Sequence, residues 1–295
     1  MTARLYLICA IIIASLFACR QRPKTGSNNT EPGKKTDSIQ IDSLQNMVFL
    51  MLSPNEILNE IFSKKVTLNP SLLNPRTNAQ KYLDIKHQAL NLGVYIADFA
   101  YLNLCQNKSY TLDYFKIIRD LAQKNNIYGC FDEATFNRIQ NNLANNDSLI
   151  NISQEMYYNM ADILENANRQ NINALISSGA LTESLYLSVM SIDKITDYKD
   201  MTQKIFSQKP LFDNFYAFIS LYKKDKDVES IITQLDVLKK ILDKSDITTK
   251  KKKITKDQKN HLEVKGGQDI IFNDAVFKEF KESVINLRQS FININ

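Results

Sequence analysis

Two carboxylates lie at matching places in two apolar segments of the sequence, Asp98 and Glu183. Carboxyl groups whose surroundings push their pKa values apart can serve as general acid and general base, provided that both face one substrate. Glu183 lies within an apolar stripe, and a buried carboxylate without a partner is costly. We therefore expect a structural role, in which Glu183 bonds the hydroxyl of Tyr186 or Tyr101. Asp98 is expected to face solvent or the wall of a groove.

A ligand pocket is the alternative use of these residues. Polar side chains would converge there if the two helices that carry the carboxylates are neighbours. A cavity between these helices would favour a sensor-like or solute-binding protein, and a filled contact would favour an interaction module. The predicted lining residues are Tyr95, Asp98, Tyr101, Glu183 and Tyr186.

Other residues with catalytic or metal-binding chemistry are few. The sequence has only two histidines, His87 and His261, and no His or Cys pair with metal-ligand spacing. It has no nucleophile elbow, glycine-rich phosphate loop or aspartate-rich calcium loop. We therefore predict no metal site, no cofactor and no enzymatic activity; an enzyme of unrecognised type is the remaining alternative.

The N-terminal residues have the pattern of a bacterial lipoprotein signal. Arg4 precedes an apolar run that ends in Leu-Phe-Ala-Cys at Cys19, and this run is too short to span a membrane. The pattern predicts a signal peptide over 1–18, lipidation of Cys19, an anchor and disordered polar stalk over 19–45, and one helical domain over 46–295. An ordinary secretory signal with an incidental cysteine is the alternative.

Location and partners follow from that anchor. The residues after Cys19 are basic, and the absence of an acidic export tag favours the periplasm-facing side of the outer membrane. The expected partners are the membrane itself, an envelope protein or a small ligand, and no nucleic acid. Ser38 and Ser43 stand in Asp-Ser-apolar triplets similar to the O-glycosylation sequon of Bacteroidetes.

A run of lysines is the strongest electrostatic feature. It forms either a solvated loop or a contact with anionic lipid headgroups or polysaccharide. Nucleic acid is not expected, because no aromatic residues are interleaved with the lysines. The run comprises Lys250, Lys251, Lys252 and Lys253.

The elements that carry these residues are predicted to be helices. Seven glycines and six prolines in 295 residues are too few for turn-rich β folds. Apolar periodicity predicts an all-α bundle of nine or ten helices, with a β-hairpin or loop insert over 246–268. The second helix (77–105), with His87 and Leu83 at inner positions, and the sixth (171–191) share a faint echo at a spacing of 85 residues, which suggests a two-fold internal repeat. The other predicted helices are 54–65, 109–125, 132–145, one that begins at 147, 197–207, 210–222, 226–243 and 274–291.

Two cysteines of the predicted mature chain remain as thiols, Cys105 and Cys130. A helix of about 16 residues between them would hold them about 24 Å apart, beyond the reach of a disulfide. We expect both to be free and largely buried.

The segment from Leu90 to Tyr101, LNLGVYIADFAY, resembles a motif in a family of helical Bacteroidetes lipoproteins of unknown function. Similar segments are Phe131-Asp-Glu-Ala-Thr, Asp147-Ser-Leu-Ile, 175–186, and a Gly-Gly pair before a last helix with Leu287-Arg288. The resemblance spans about 45–292. It implies a helical envelope lipoprotein, and it implies no activity.

Overall fold

The computed structural model describes residues 52–62, 67–192, 199–244 and 274–293, together with four short strands between 246 and 271. The fold is an all-α multi-helix bundle, as the sequence predicts. Within the described residues it has ten α-helices and two 3-10 helices, Pro70–Leu72 and Arg76–Gln80. The α-helices are α1 (Pro54–Ile61), α2 (Ile85–Leu104), α3 (Lys108–Lys124), α4 (Glu133–Asn141), α5 (Asn146–Asn166), α6 (Gln170–Met190), α7 (Lys199–Ser207), α8 (Lys209–Ser220), α9 (Lys226–Leu242) and α10 (Asp274–Ile292).

The strands lie between α9 and α10 and form two antiparallel pairs. The first strand pairs with the fourth and the second with the third. The residues that join the strands lie outside the described part of the chain, so the hairpin or loop insert stays a prediction. The strands are β1 (Asp246–Thr249), β2 (Lys253–Lys256), β3 (Leu262–Lys265) and β4 (Gln268–Ile271).

Helices α2 and α6 form the centre of the bundle. Every residue of α2 from Gln88 to Asn103 is buried, and so is every residue of α6 from Ile172 to Leu185. A helix that is apolar over most of its circumference must be covered on all sides. Helices α1, α3, α5 and α10 pack against this pair, and α9 packs against α10 and α6.

Side chains at the helix starts explain where the helices begin. Ser53 and Glu56 form a capping box at α1, which has proline as its first residue. Asp84 caps α2 by accepting a hydrogen bond from the His87 N–H, and Asn107 and Asn145 cap α3 and α5 in the same way.

Three helix ends are closed by residues with positive φ that are not glycine. Gln106, Asn126 and Asn168 have φ of 56°, 52° and 55°. In each turn the next N–H bonds back to a carbonyl of the last helical turn, as Asn107 does to the Leu102 oxygen at 2.9 Å. In this chain, residues with side chains therefore occupy turn positions that are usually taken by glycine.

The start of the second helix corrects the prediction of a helix over 77–105. The chain forms a 3-10 helix at Arg76–Gln80, and α2 begins only at Ile85 because Asp84 caps it. Leu83, predicted to face inward, is 83% exposed, and the ring of His87 is half-buried beside the Asp84 carboxylate. The other helices begin and end within about one turn of their predicted bounds.

Candidate functional site

The contact between α2 and α6 is made by two glycines. A Cβ atom on Gly93 would lie 1.9 Å from the Ile176 carbonyl oxygen, and one on Gly179 would lie 1.9 Å from the Leu90 carbonyl oxygen. The two contacts mirror each other, so the backbones of the helices touch where the glycines cross. The helices pack as the repeat hypothesis expects; the duplication itself stays a prediction.

Asp98 and Glu183 lie about one turn beyond these glycines, and both are completely buried. Glu183 is bound by Arg288 of α10, whose Nε lies 2.6 Å from Oε2 and whose Nη2 lies 2.9 Å from Oε1. This two-pronged geometry is the strongest form of a carboxylate–guanidinium contact. We name Asp98, Glu183 and Arg288 the carboxylate cluster.

Arg288 has two further contacts. Its Nη2 donates a hydrogen bond to the Leu72 carbonyl oxygen at 2.9 Å, and its guanidinium carbon lies 3.9 Å from the centre of the Tyr186 ring. A guanidinium over a ring face is stabilised by the negative charge density of that face. The partner of Glu183 is thus Arg288 and not the tyrosine hydroxyl that the sequence suggested.

The surroundings of Asp98 raise its pKa and so favour its protonated form. Burial and the neighbouring Glu183 charge raise the pKa of Asp98 well above its ordinary value. Burial also raises the pKa of Glu183, but Arg288 opposes that shift. Asp98 and Glu183 interact directly, and Oδ2 of Asp98 accepts the Asn74 N–H at 3.0 Å. Protonation of Asp98 would leave the cluster without net charge, because Arg288 balances an ionised Glu183.

Asp98, expected to face solvent or the wall of a groove, belongs to a polar face of α2 that is buried under the segment preceding the helix. Tyr95 donates its hydroxyl to the Pro75 carbonyl at 2.9 Å, and the Asn74 side chain donates to Tyr82 at 3.1 Å and Asn91 at 3.3 Å. Asn91 donates to the Phe291 carbonyl of α10 at 2.8 Å. Hydrogen bonding to an irregular segment, and not hydration, explains these polar residues.

The five predicted pocket residues therefore separate into two groups. Asp98, Glu183 and Tyr186 meet around Arg288, and Tyr95 lies at the edge of the same buried network. Tyr101 packs against the ring of Phe62, 6.2 Å between centroids, and burial raises its pKa to about 12. The two carboxyl groups have no exposed surface and hold three helices together, so neither meets a substrate in this conformation.

Sequence reasoning missed Arg288 and Asn74. Arg288 had a detectable signal, because it lies four residues after Val284 and three before Phe291 on the apolar face of α10. A charged residue at an inward position predicts a buried partner of opposite charge. Asn74 had no such signal, since an asparagine beside a proline is ordinary in a turn.

The two thiols are free and shielded. Cys130 is buried and Cys105 half-buried, and burial raises their thiol pKa values to about 12 and about 11. Within the described residues no three His, Cys, Asp or Glu side chains are grouped as metal ligands. The remaining predicted sites, Cys19, Ser38, Ser43 and Lys250 to Lys253, lie outside the described residues or among those whose side chains are not described.

A polar cavity of about 120 Å³ lies where the end of α2 meets the starts of α3 and α5. Asn103 lines it and is 1% exposed, yet neither its amide nitrogen nor its amide oxygen has a hydrogen-bond partner within the described structure. Asn146 also lines it, and its buried Oδ1 lacks a partner there too. The other lining residues are Leu102, Gln106, Asn107, Lys108, Leu143, Ala144 and Leu149.

An open groove of about 420 Å³ runs between α9 and α10. Val237, which is 54% exposed, forms part of it together with Glu279 and Glu282. None of the described helices is both long and apolar enough to cross a membrane.

Comparisons of the chain with protein-family models, with curated proteins and with solved structures found no match of any kind.

Proposed function

We propose that this protein is a lipid-anchored, non-enzymatic binding module of the bacterial cell envelope. One observation carries the non-enzymatic part: Asp98 and Glu183, the residues best suited to acid–base work, have no exposed surface. Arg288 binds both oxygens of Glu183 and the Asn74 N–H binds Asp98, so their role is to hold α2, α6 and α10 together. The folded body is then a rigid platform whose surface and cavities do the binding.

The anchor supports the envelope part of the proposal. The apolar run that ends at Cys19 and the polar stretch after it are typical of a tethered lipoprotein. A lipid on Cys19 would hold the body near a membrane through a flexible stalk, and the periplasm-facing outer membrane is the proposed site. No described helix provides a membrane span of its own.

Metabolic labelling with palmitate tests the anchor. We expect the full chain to incorporate label and to partition with membranes, and Cys19→Ala to do neither. Cys105→Ala is the matched control and should label like the natural chain, because Cys105 is a half-buried thiol of the folded body. Label in Cys19→Ala, or none in the natural chain, would contradict the anchor.

Site-specific photocrosslinking in intact cells tests the binding role. A photoreactive side chain is placed at Tyr128 or Val237, which are apolar and 63% and 54% exposed, and at Lys116 as an exposed polar control. We expect one discrete adduct from one apolar position and none from Lys116. Absence of adducts at both apolar positions, or the same adducts from all three, would count against an interaction surface there.

Solute binding is the second candidate, and the polar cavity favours it. The filled contact at Gly93 and Gly179 argues against a pocket between α2 and α6. The polar cavity lies instead at the junction of α2, α3 and α5.

A further inference from the structure

A shallow apolar hollow is lined by residues of α1, α6 and α8 and by the residue before α1. It measures about 280 Å³ including its open mouth. Its lining contains no charged residue, and its two polar side chains, Tyr157 and Ser177, bond each other at 3.2 Å. The hollow therefore offers an occupant apolar surface and polar side chains that already have partners. The apolar lining includes Leu52, Leu181, Leu211 and Phe215.

The chain enters α1 at the edge of this hollow. Leu52 lies immediately before the cap Ser53 and is 37% exposed, and Ile57 is the fourth residue of α1. These are the two positions of a hydrophobic staple, a pair that fixes the angle at which a chain enters a helix. Both residues line the hollow, so the segment before Leu52 starts from its edge.

Five apolar residues come directly before Leu52 in the sequence. Residues 47–51 are Met, Val, Phe, Leu and Met, whereas 40–46 are mostly polar. An unbroken run of large apolar side chains is unfavourable in water, so its burial is favoured. Five extended residues reach at most about 17 Å, and packed helices lie about 8–10 Å apart. The run is therefore long enough to cross the hollow.

We propose that residues 47–51 are the occupant of this hollow and lie across its mouth as an apolar strap. The strap is joined to the edge of the hollow through Leu52, so its effective concentration there is about millimolar. A second copy of the chain or a partner protein would have to compete with that concentration. The strap itself does not depend on the lipid, whereas its consequence for tethering rests on the anchor under Proposed function.

The strap fixes the place where the tether leaves the folded body. With residues 47–51 docked, the stalk ends at about residue 46, beside α1, α6 and α8. A released strap would lengthen the tether by up to about 17 Å. Tyr128 and Val237, the exposed apolar positions of the proposed interaction surface, do not line the hollow, so the docked strap leaves them free to bind a partner.

The rate of thiol labelling by a maleimide in the purified protein tests the strap. Phe49→Cys and Leu50→Cys place single thiols at neighbouring positions, which face opposite sides of an extended segment. Thr30→Cys, in the predicted stalk, gives the rate of an uncovered thiol, and peptide mapping assigns every label. The slower of the two strap thiols should react at least about ten times more slowly than the Thr30→Cys thiol, because a covered thiol reacts only while the strap is open.

Second substitutions show whether the hollow provides the cover. Leu211→Asp places a charge at a half-buried position of the lining and should raise the rate of the protected thiol to that of Thr30→Cys. Leu52→Asp, at the exposed edge, repeats the test without a change in the body of the bundle. Leu112→Asp, at a half-buried leucine of α3 outside the hollow, is the matched control and should leave the rate unchanged.

Four results would overturn the proposal. Equal rates at Phe49, Leu50 and Thr30 would mean that nothing covers the segment. Protection that survives both Leu211→Asp and Leu52→Asp would place the segment elsewhere, in a detergent micelle or a membrane. An equal rise in rate in Leu112→Asp would remove the link to the hollow. Protection that falls on dilution, together with a dimer in light scattering, would assign the hollow to a second copy.

Failure of the strap and failure of the anchor are distinguishable. The labelling rates measure the cover over residues 47–51, whereas the palmitate experiment depends on Cys19. Unprotected strap thiols with normal palmitate labelling would remove the strap and leave the tethered module intact.

Discussion

Arg288 donates two hydrogen bonds to Glu183, at 2.6 Å from Nε and 2.9 Å from Nη2, across a separation of 105 residues in the chain. The pair is closed from solvent, with 8% and 0% of the two side chains exposed. Removal of one partner from a buried ion pair leaves an uncompensated charge. Most of the resulting loss of stability comes from that charge.

We expect Arg288→Met to lower the free energy of unfolding by about 3–5 kcal/mol at neutral pH, because Glu183 loses its cation while it stays buried. Urea denaturation measures the loss. Arg138→Met is the matched control: Arg138 also holds a carboxylate with two hydrogen bonds, that of Glu155, but both side chains are about half exposed. Such a surface pair contributes about 1 kcal/mol or less. Equal losses in the two variants would contradict burial of the Arg288 pair.

Asp98→Asn is expected to stabilise the protein at neutral pH. The pKa of Asp98 is raised in the folded state, so between its unfolded and folded pKa values only the unfolded chain releases the proton, and stability falls as pH rises. Asparagine is nearly equal in shape to the protonated acid and has no proton to release. The gain should be present at pH 7 and vanish below about pH 3, where Asp98 is protonated in both states. Melting temperatures across this range measure it.

Asp132→Asn is the control for this prediction, with the opposite sign. Asp132 caps α4, and the Thr135 N–H lowers the pKa of its carboxylate. Its contribution is present above the unfolded pKa and is lost as pH falls through the folded pKa. A loss of stability at pH 7 in Asp98→Asn would show that Asp98 is ionised in the cluster.

Gly93→Ala is expected to destabilise the bundle by about 1–3 kcal/mol or more, because the new methyl group would overlap the Ile176 carbonyl oxygen and α2 must move from α6. Chemical denaturation measures the loss. Ser178→Ala, on the same stretch of α6, is the control. Ser178 bonds only the Ala174 carbonyl of its own helix among the hydrogen bonds described for its hydroxyl, and its loss should change stability little. A tolerated Gly93→Ala would mean that the two backbones do not touch.

The thiols of Cys105 and Cys130 are expected to be unreactive in the folded protein at pH 8. Their pKa values are raised to about 11 and about 12, so almost no thiolate is present. A thiol-titration reagent should report two fast-reacting groups only after unfolding in guanidinium, with free cysteine as the rate reference. Reaction of either thiol in the native protein at the rate of free cysteine would contradict this shielding.

The helices could be predicted from the sequence because apolar periodicity and caps are local signals. The start of α2 was predicted wrongly because Leu83 continues the apolar period, although Asp84 is a good cap that ends the preceding segment. The polar face of α2 was recognised correctly from the sequence, but the segment that covers this face was not. Periodicity shows that one face is polar, but it does not show whether water or another segment of the chain satisfies that face.

The centre of the candidate site was predicted only in part for the same reason. The pairing of Asp98 with Glu183 followed from the internal echo, which places both on long inner helices. Arg288 lies 105 residues beyond Glu183, and no local pattern links the two. The polar cavity was not predicted at all, since an unpartnered amide such as Asn103 is visible only when the surrounding helices are in place.

The separation of 105 residues between Glu183 and Arg288 has a consequence for synthesis. A ribosome makes Asp98 and Glu183 long before it makes the residue that compensates them, so the central helices cannot reach their final state while the chain is still growing. A chain that stops before residue 288 has a carboxylate without its cation at the core of the bundle. Until α10 has been made, Glu183 therefore lacks the cation that balances it, and the contact of α2 with α6 stays incompletely stabilised.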